Sequence, residues 1–200
     1  DLAVGAPASD AAGTNSGYAR IFGGLGSTLH TYNGNDPGDR FGTSFARLND
    51  INSDGNDDFI IGAPYGKNGG VSTGLARVYS GNTFGSLHTF FGTGAGDRFG
   101  FAVSRVPGGY IAVGAPEADT PPYLKTGKVY IYDDSTFGLF AHYYNSPTMD
   151  QFGSSLAPAP ITNPPGLLIV GSPTGGYQKH GLVVLFSVVS GVLYASHDES

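Results

Sequence analysis

The sequence predicts an all-β protein made of consecutive four-stranded antiparallel sheets, and three observations carry that expectation. A tripeptide recurs as Gly5-Ala6-Pro7, Gly62-Ala63-Pro64, Gly114-Ala115-Pro116 and Gly171-Ser172-Pro173, at spacings of 57, 52 and 57 residues. Each copy follows an apolar run: LAV, FII, IAV and LIV. A second marker returns in step with it, as Asp39-Arg40-Phe41-Gly42, Asp97-Arg98-Phe99-Gly100 and Asp150-Gln151-Phe152-Gly153. Two further sets of segments match between these markers: GYARIF, GLARVY, GKVYIY and GLVVLF, then LHTYNG, LHTFFG, AHYYNS and LYASHD. Self-similarity at a fixed period is the mark of a repeat architecture.

Each repeat thus offers four strand-length runs bounded by Gly, Asn, Asp or Pro, in the order expected of strands joined by short turns. The first run follows the Phe-Gly marker. The second is the apolar run into Gly-Ala-Pro, where the small residues suit a crowded axis and proline, lacking an N–H, ends the ladder. The third and fourth are the two matched segments. Such a unit is one blade of a β-propeller, and inner strands sandwiched between blades should be apolar on both faces, as Val129-Tyr130-Ile131-Tyr132 and Leu182 to Phe186 are. A solenoid or a sandwich is the alternative, although a repeat of 52 to 58 residues is long for a solenoid rung. About fifteen strands are expected, one short of four full blades. Residues 1–200 are read as one propeller domain or a fragment of one. Asp1 falls late in a first copy of the repeat, and SHDES stops where a further Phe-Gly marker is due. Three readings of the assembly follow: a fragment of a larger propeller, a self-closing four-blade ring, or a half that pairs with another chain.

Composition narrows the function. With 40% hydrophobic residues the chain can bury a core, and 33 Gly, 12 Tyr and 13 Phe suit short strands and turns. The formal charge is −6, and ten Lys and Arg are scattered singly, so no basic stripe offers itself to nucleic acid or anionic lipid. No apolar run reaches the roughly 18 to 20 residues of a membrane-spanning helix. There is no Cys, hence no disulfide, thiolate metal site or Cys nucleophile.

One loop stands apart. Residues 50 to 64 read DINSDGNDDFIIGAP. Counting Asp50 as position one, Asn52, Asp54 and Asp58 fall at three, five and nine, with Gly55 at six and Asn56 at seven. These spacings match the start of an EF-hand loop, where alternate side chains converge on a hard cation and residue seven offers its carbonyl. Position twelve departs, because Ile61 stands where an EF-hand has glutamate. An all-oxygen donor set favours Ca²⁺. The alternative is an Asx-rich turn that joins two strands without metal. The second copy shrinks to VPGGY, with Tyr110 at the ninth position, and the third has Leu167 there and no carboxylate, so neither should bind calcium.

Phe-Gly, then D-x-N-x-D-G-x-x-D, then an apolar run ending in Gly-Ala-Pro over residues 41 to 64, resembles the FG-GAP repeat of integrin α-subunit propellers and related extracellular proteins. The resemblance implies a β-propeller, usually seven-bladed, with calcium loops bracing the blades. It makes Asp50, Asn52, Asp54, Asn56 and Asp58 the implied Ca²⁺ ligands. It further implies a non-catalytic recognition module outside the cell or on its surface, for adhesion or for a protein or glycan ligand in the manner of a lectin. The alternative is the propeller portion of a secreted hydrolase or lyase whose catalytic residues lie elsewhere. Exposed blade edges would favour self-association.

No catalytic constellation competes with this reading. There is no G-x-S-x-G, H-E-x-x-H or phosphate loop. His30, His88 and His142 recur at one strand position, which suits blade packing, while His180 and His197 have no partner identifiable in sequence. Asp39, Asp97 and Asp150 read as one turn cap per repeat. Tyr65 and Tyr177 are loop aromatics on which a sugar could stack.

Overall fold

The computed structural model describes residues 1–144, 150–159, 166–174, 181–191 and 193–198, the last segment as backbone alone. They form two compact units, Asp1–Phe101 and Ala102–Ser200.

In the first unit, β1 (Leu2–Ala6), β2 (Tyr18–Phe22) and β3 (Thr28–Asn33) make a three-stranded antiparallel sheet in chain order. The next sheet is four-stranded: β4 (Ser44–Arg47), β5 (Phe59–Ala63), β8 (Leu75–Tyr79) and β9 (Ser86–Phe91). Between β5 and β8 a small hairpin, β6 (Lys67–Asn68) and β7 (Val71–Ser72), stands apart from the sheet, an addition that the four-strand repeat does not predict. In the second unit, β10 (Ala102–Val106), β11 (Tyr110–Ala115), β12 (Lys128–Asp133) and β13 (Leu139–Tyr143) form one sheet. A second sheet follows, of β14 (Ser155–Pro158), β15 (Leu167–Ser172), β16 (Leu182–Ser187) and β17 (Leu193–Asp198). Among the described residues there is no helix, and fifteen strands lie in blade-type sheets, the number expected. The architecture is all-β, in antiparallel meanders of the propeller-blade kind.

The repeat markers have physical causes. In all four copies the second strand stops at the residue before proline: Ala6, Ala63, Ala115 and Ser172. A Cβ on Gly5 would land on the carbonyl oxygen of Gly42, one on Gly62 on that of Gly100, and one on Gly114 on that of Gly153. The Gly-Ala-Pro glycine is therefore small because the Phe-Gly glycine of the following repeat presses its backbone against it. The partner glycines need their own freedom, with φ of 86°, 86° and 90° at Gly42, Gly100 and Gly153. The phenylalanines of the same markers are buried and stitched backward. Phe41 bridges Gly17, Phe99 bridges Gly74 and Phe152 bridges Gly127. The marker is a clasp between consecutive repeats.

Packing follows the same logic. In the first unit Ile21, Tyr32 and Phe41 are buried with Ile61, Leu75 and Tyr79, joining its two sheets through one core. In the second, Val106, Val129, Ile131 and Phe152 pack with Leu168, Val170 and Phe186. Val129 to Tyr132 are buried throughout, as expected of a sandwiched strand. Leu182 to Phe186 depart from that expectation, since Val183 is 51% exposed and Leu182 and Leu185 are only half-buried. Tyrosine hydroxyls repeat a further tie: Tyr32 donates to the Phe84 carbonyl at 2.9 Å, and Tyr143 to the Val188 carbonyl at 2.8 Å.

Candidate metal centre

The loop between β4 and β5 folds onto its own amides. Asp50 accepts from the N–H of Asp54 at 2.9 Å and of Gly55 at 2.8 Å. Asn52 Oδ1 also accepts from Asp54 N–H, at 3.0 Å, while its amide nitrogen donates to Asp54 Oδ2 at 2.9 Å. Asp54 Oδ1 accepts from Asn56 N–H at 3.1 Å. Local chemistry dictates this curl, because Asp and Asn side chains bond backbone groups a few residues on, and Gly55 takes the turn at φ 92°. Asp50, Asn52, Asp54 and Asn56 thus belong to one network at the exposed end of the loop.

Asp58 is placed differently. It is fully buried at the foot of β5, and its two oxygens accept from Ile51 N–H and from Gly81 N–H, both at 3.0 Å. One bond closes the loop and the other ties it to the turn between β8 and β9. Burial pushes the Asp58 carboxyl above the usual range, the two amides oppose that, and the charge of Asp54 adds to the upward push. Asp54 moves the other way, held down chiefly by the Ser80 hydroxyl that donates to its Oδ2 at 2.8 Å. Asp57, next in the chain, is paired outward with Arg47.

Two residues of the β8–β9 turn, Ser80 and Gly81, complete the loop's contacts, and no motif of the loop itself marks them as partners. Ser80 is buried, donates to Asp54, and accepts from the N–H groups of Asn82 and Thr83, each at 3.1 Å. Gly81 supplies the amide to Asp58, and a Cβ there would strike the Asp57 carbonyl. A signal existed in the aligned turns SGNTFG (residues 80–85) and DDSTFG (residues 133–138). Asp133 caps its turn as Ser80 does, accepting from Ser135 and Thr136 N–H at 3.1 and 2.8 Å. Serine at position 80 caps the turn and still donates to a carboxylate, which aspartate could not.

The other repeats keep the tie and drop the carboxylate. Asp134 N–H donates to the Gly109 carbonyl at 3.0 Å, and Val188 N–H to the Gly166 carbonyl at 2.7 Å. These are the counterparts of the bond from Gly81 to Asp58. VPGGY is a tight turn as expected, with Val106 opposite Tyr110 and both glycines at positive φ. Most of the longer loop ahead of Leu167, residues 160–165, lies outside the described residues.

Fit to a hard cation is therefore a matter of donor chemistry: the carboxylates of Asp50, Asp54 and Asp58, the Asn52 amide and the Asn56 carbonyl offer five oxygen donors in nine residues, and two of the carboxylates, Asp54 and Asp58, repel each other. As they stand the acids hold amides, and among the described residues no three His, Cys, Asp or Glu form a ready metal cluster.

Other candidate residues fall into place. Asp39 and Asp97 are buried turn caps: Asp39 accepts from Asn35 and Asp36 N–H at 3.0 and 2.9 Å, and Asp97 from Gly94 N–H at 2.8 Å. Each recurrent histidine packs on aromatic rings near it. His30 lies 4.4 Å from Tyr32, His88 4.6 Å from Phe90 and His142 6.0 Å from Tyr130, between ring centres. Tyr65 is half-buried, and the guanidinium groups of Arg40 and Arg98 stand over its ring, which disfavours it as a bare sugar platform. Tyr177, His180 and the side chain of His197 lie outside the described residues.

Comparison with known proteins identifies the repeat in which the loop lies. Residues 41–79, which span β4, the loop, β5 and β8, match the FG-GAP repeat family model. The chain is 25% identical over 166 residues to integrin alpha-5 of Xenopus laevis, across 74% of this chain and 15% of that protein. It is 30% identical over 178 residues to phosphatidylinositol-glycan-specific phospholipase D of Bos taurus, across 75% of this chain and 21% of that protein. The chain spans about a fifth or less of the length of these relatives.

Proposed function

From a chain that carries an FG-GAP repeat in sheets of the integrin-α-like propeller type, we propose a non-catalytic recognition module braced by calcium. Asp50, Asn52, Asp54, Asn56 and Asp58 would hold the ion. What supports the assignment is the pairing of a loop whose carboxylates Asp50 and Asp54 are gathered at its exposed end with a buried Asp58 that anchors it to the next turn. A divalent cation there neutralises the repulsion between Asp54 and Asp58 and stiffens the link between β5 and the β8–β9 turn. Loops on a rigid scaffold then present the binding face for a protein or glycan, in adhesion or lectin-like recognition. Self-association through open strand edges, such as that of β1, belongs to the same proposal.

With a single loop of this kind, the dissociation constant should be on the order of 10⁻⁴ to 10⁻³ M, the range of extracellular modules. Such a site fills outside cells, which supports placement at the surface or beyond. Among the described residues no helix is long and apolar enough to cross a membrane. Calcium titration followed by thermal melting tests the reading. At a hundredfold above the dissociation constant the ion should stabilise the fold by about 2.7 kcal/mol, and Asp54→Ala should remove that gain. A melting shift unchanged in the variant, or none in the parent chain, refutes the site.

The similarity to a phospholipase D supports a second reading, the propeller portion of a larger secreted hydrolase or lyase. Residues flanking this segment in its gene separate the two: an adjoining catalytic domain favours the enzyme, and adhesion modules or an anchor favour the binder.

A further inference from the structure

We propose that the open edge of β1 receives an extended segment of another polypeptide as an added antiparallel strand, its small side chains turned toward the cavity between β1 and β4. This rests on the reading of the chain as a recognition module and names the chemistry of one partner.

The first sheet has three strands, with β1 at its edge, where the other three blade-type sheets have four. In those sheets the strand that runs into the repeat's proline is paired on the corresponding side by β4, β10 or β14. β1 carries the same register mark, since Gly5 is the counterpart of Gly62, Gly114 and Gly171. The residues opposite those three glycines are Ser44, Ala102 and Ser155. Next along come Phe45, Val103 and Leu156, and then Ala46, Ser104 and Ala157. Small, apolar, small is thus the pattern of the strand that this kind of edge takes.

Backbone and space both fit such a strand. The Gly62 carbonyl accepts from the N–H groups of Gly42 and Thr43 at 3.1 and 3.2 Å, so the polar groups of Gly62 face the strand beside it. By alternation those of Gly5 and Ala3 face the open edge of β1. A Cβ on Gly5 would meet the Gly42 carbonyl and the Phe45 ring, so the side of β1 that holds Gly5 and Ala3 looks toward the second sheet. Residues set opposite Gly5 and Ala3 share that side. Ser44 shows why the first of them is small, because it donates to the Gly100 carbonyl of the following repeat at 2.9 Å. A serine opposite Gly5 would meet the Gly42 carbonyl in the same way. A cavity of about 480 Å³ lies beside this edge, lined by Leu2 and Ala3 of β1, Ile21 of β2, Phe45 and Arg47 of β4, and Phe59 of β5. In the second unit β10 packs beside β14, so by the same repeat a strand added to β1 falls beside β4, where the cavity is.

Polypeptide is favoured over a small ligand because the edge offers backbone donors and acceptors at strand spacing. On the side away from the second sheet Leu2 is 62% and Val4 42% exposed, and the apolar residue of the added strand becomes the cross-strand neighbour of Val4. A second copy of this chain is disfavoured as the source, since β4, β10 and β14, which carry the pattern, are already paired in their own sheets.

The test uses the full chain and a fluorescently labelled peptide, Gly-Thr-Ser-Phe-Ala-Arg-Leu-Asn, the sequence of residues 42–49, followed by anisotropy. Saturable binding is expected, with a loss of about tenfold or more when the peptide's alanine is N-methylated, because that removes the N–H opposite Ala3. A similar loss is expected when its serine is replaced by leucine, which has no room against the Gly42 carbonyl. On the chain, Ala3→Pro removes an edge N–H and should weaken binding as much, while Val183→Ser, on β16 of the other unit, should bind as the parent does. Thermal melting of Ala3→Pro shows whether the sheet survives, and the peptide variants test the same bonds on the unaltered chain. Absence of saturable binding, or equal affinity for the parent and N-methylated peptides, overturns the proposal. Self-association of the chain alone, abolished in Ala3→Pro, overturns the choice of partner in favour of a second copy. The calcium melting shift, recorded without peptide, separates the two readings. Its absence with peptide binding intact counts against the calcium brace alone, and its presence without peptide binding counts against the strand site alone.

Discussion

Asp58 provides the sharpest quantitative test of the loop. Asp58→Ala removes the acceptor for two amides, Ile51 N–H and Gly81 N–H, each held at 3.0 Å. A buried donor left without an acceptor costs about 1–3 kcal/mol. Both amides are only partly buried, so the lower half of that range applies to each, and the sum is about 2–4 kcal/mol in EDTA. Asp58→Asn keeps one carbonyl oxygen and turns an N–H toward the other amide, so it should fall by at least half as much. The assay is urea unfolding of the parent and both variants without divalent ions, followed by fluorescence and circular dichroism. A loss below about 0.5 kcal/mol for the alanine variant, within the ordinary range of surface substitutions, would refute the claim that Asp58 anchors the loop before any metal binds.

Gly62→Ala places a methyl group on the Gly100 carbonyl and the Ser44 hydroxyl, so it should cost about 1–3 kcal/mol or more, read as a lower urea midpoint. Tyr32→Phe deletes the bond to the Phe84 carbonyl and should cost about 0.5–1.5 kcal/mol in the same assay. Asp133 is held down to about 2 by bonds from Ser135 and Thr136. Because its folded pKa lies below the unfolded value, its contribution to stability is present above pH 3.8 and is lost as pH falls through about 2. Proton NMR titration of Asp133 in the parent and in Ser135→Ala checks this, with an upward move expected in the variant. Ser80→Asp keeps the turn cap, as Asp133 shows, but sets a second carboxylate against Asp54. It should lower stability in EDTA by about 1 kcal/mol, and a melting point equal to the parent's would contradict the role given to the Ser80 hydroxyl.

The repeat was legible because every Gly-Ala-Pro and Phe-Gly copy answers the same local demand. Proline has no N–H to continue a ladder, apolar runs of strand length must be buried, and Gly, Asn and Asp mark the turns between them. These are short-range constraints, and they recur wherever the sequence does. The curl of Asp50, Asn52 and Asp54 onto their own amides was legible for the same reason, since each bond spans two to five residues. Tertiary structure alone decided the long-range pairings. Gly62 must be glycine because of Gly100, Asp58 is anchored by Gly81, Asp54 by Ser80, and Tyr65 carries Arg40 and Arg98 from two different clasps. In each case the partner lies 23 or more residues away, so no period or propensity along the chain marks it. Those contacts exist only once neighbouring strands have been brought to within a hydrogen bond of one another.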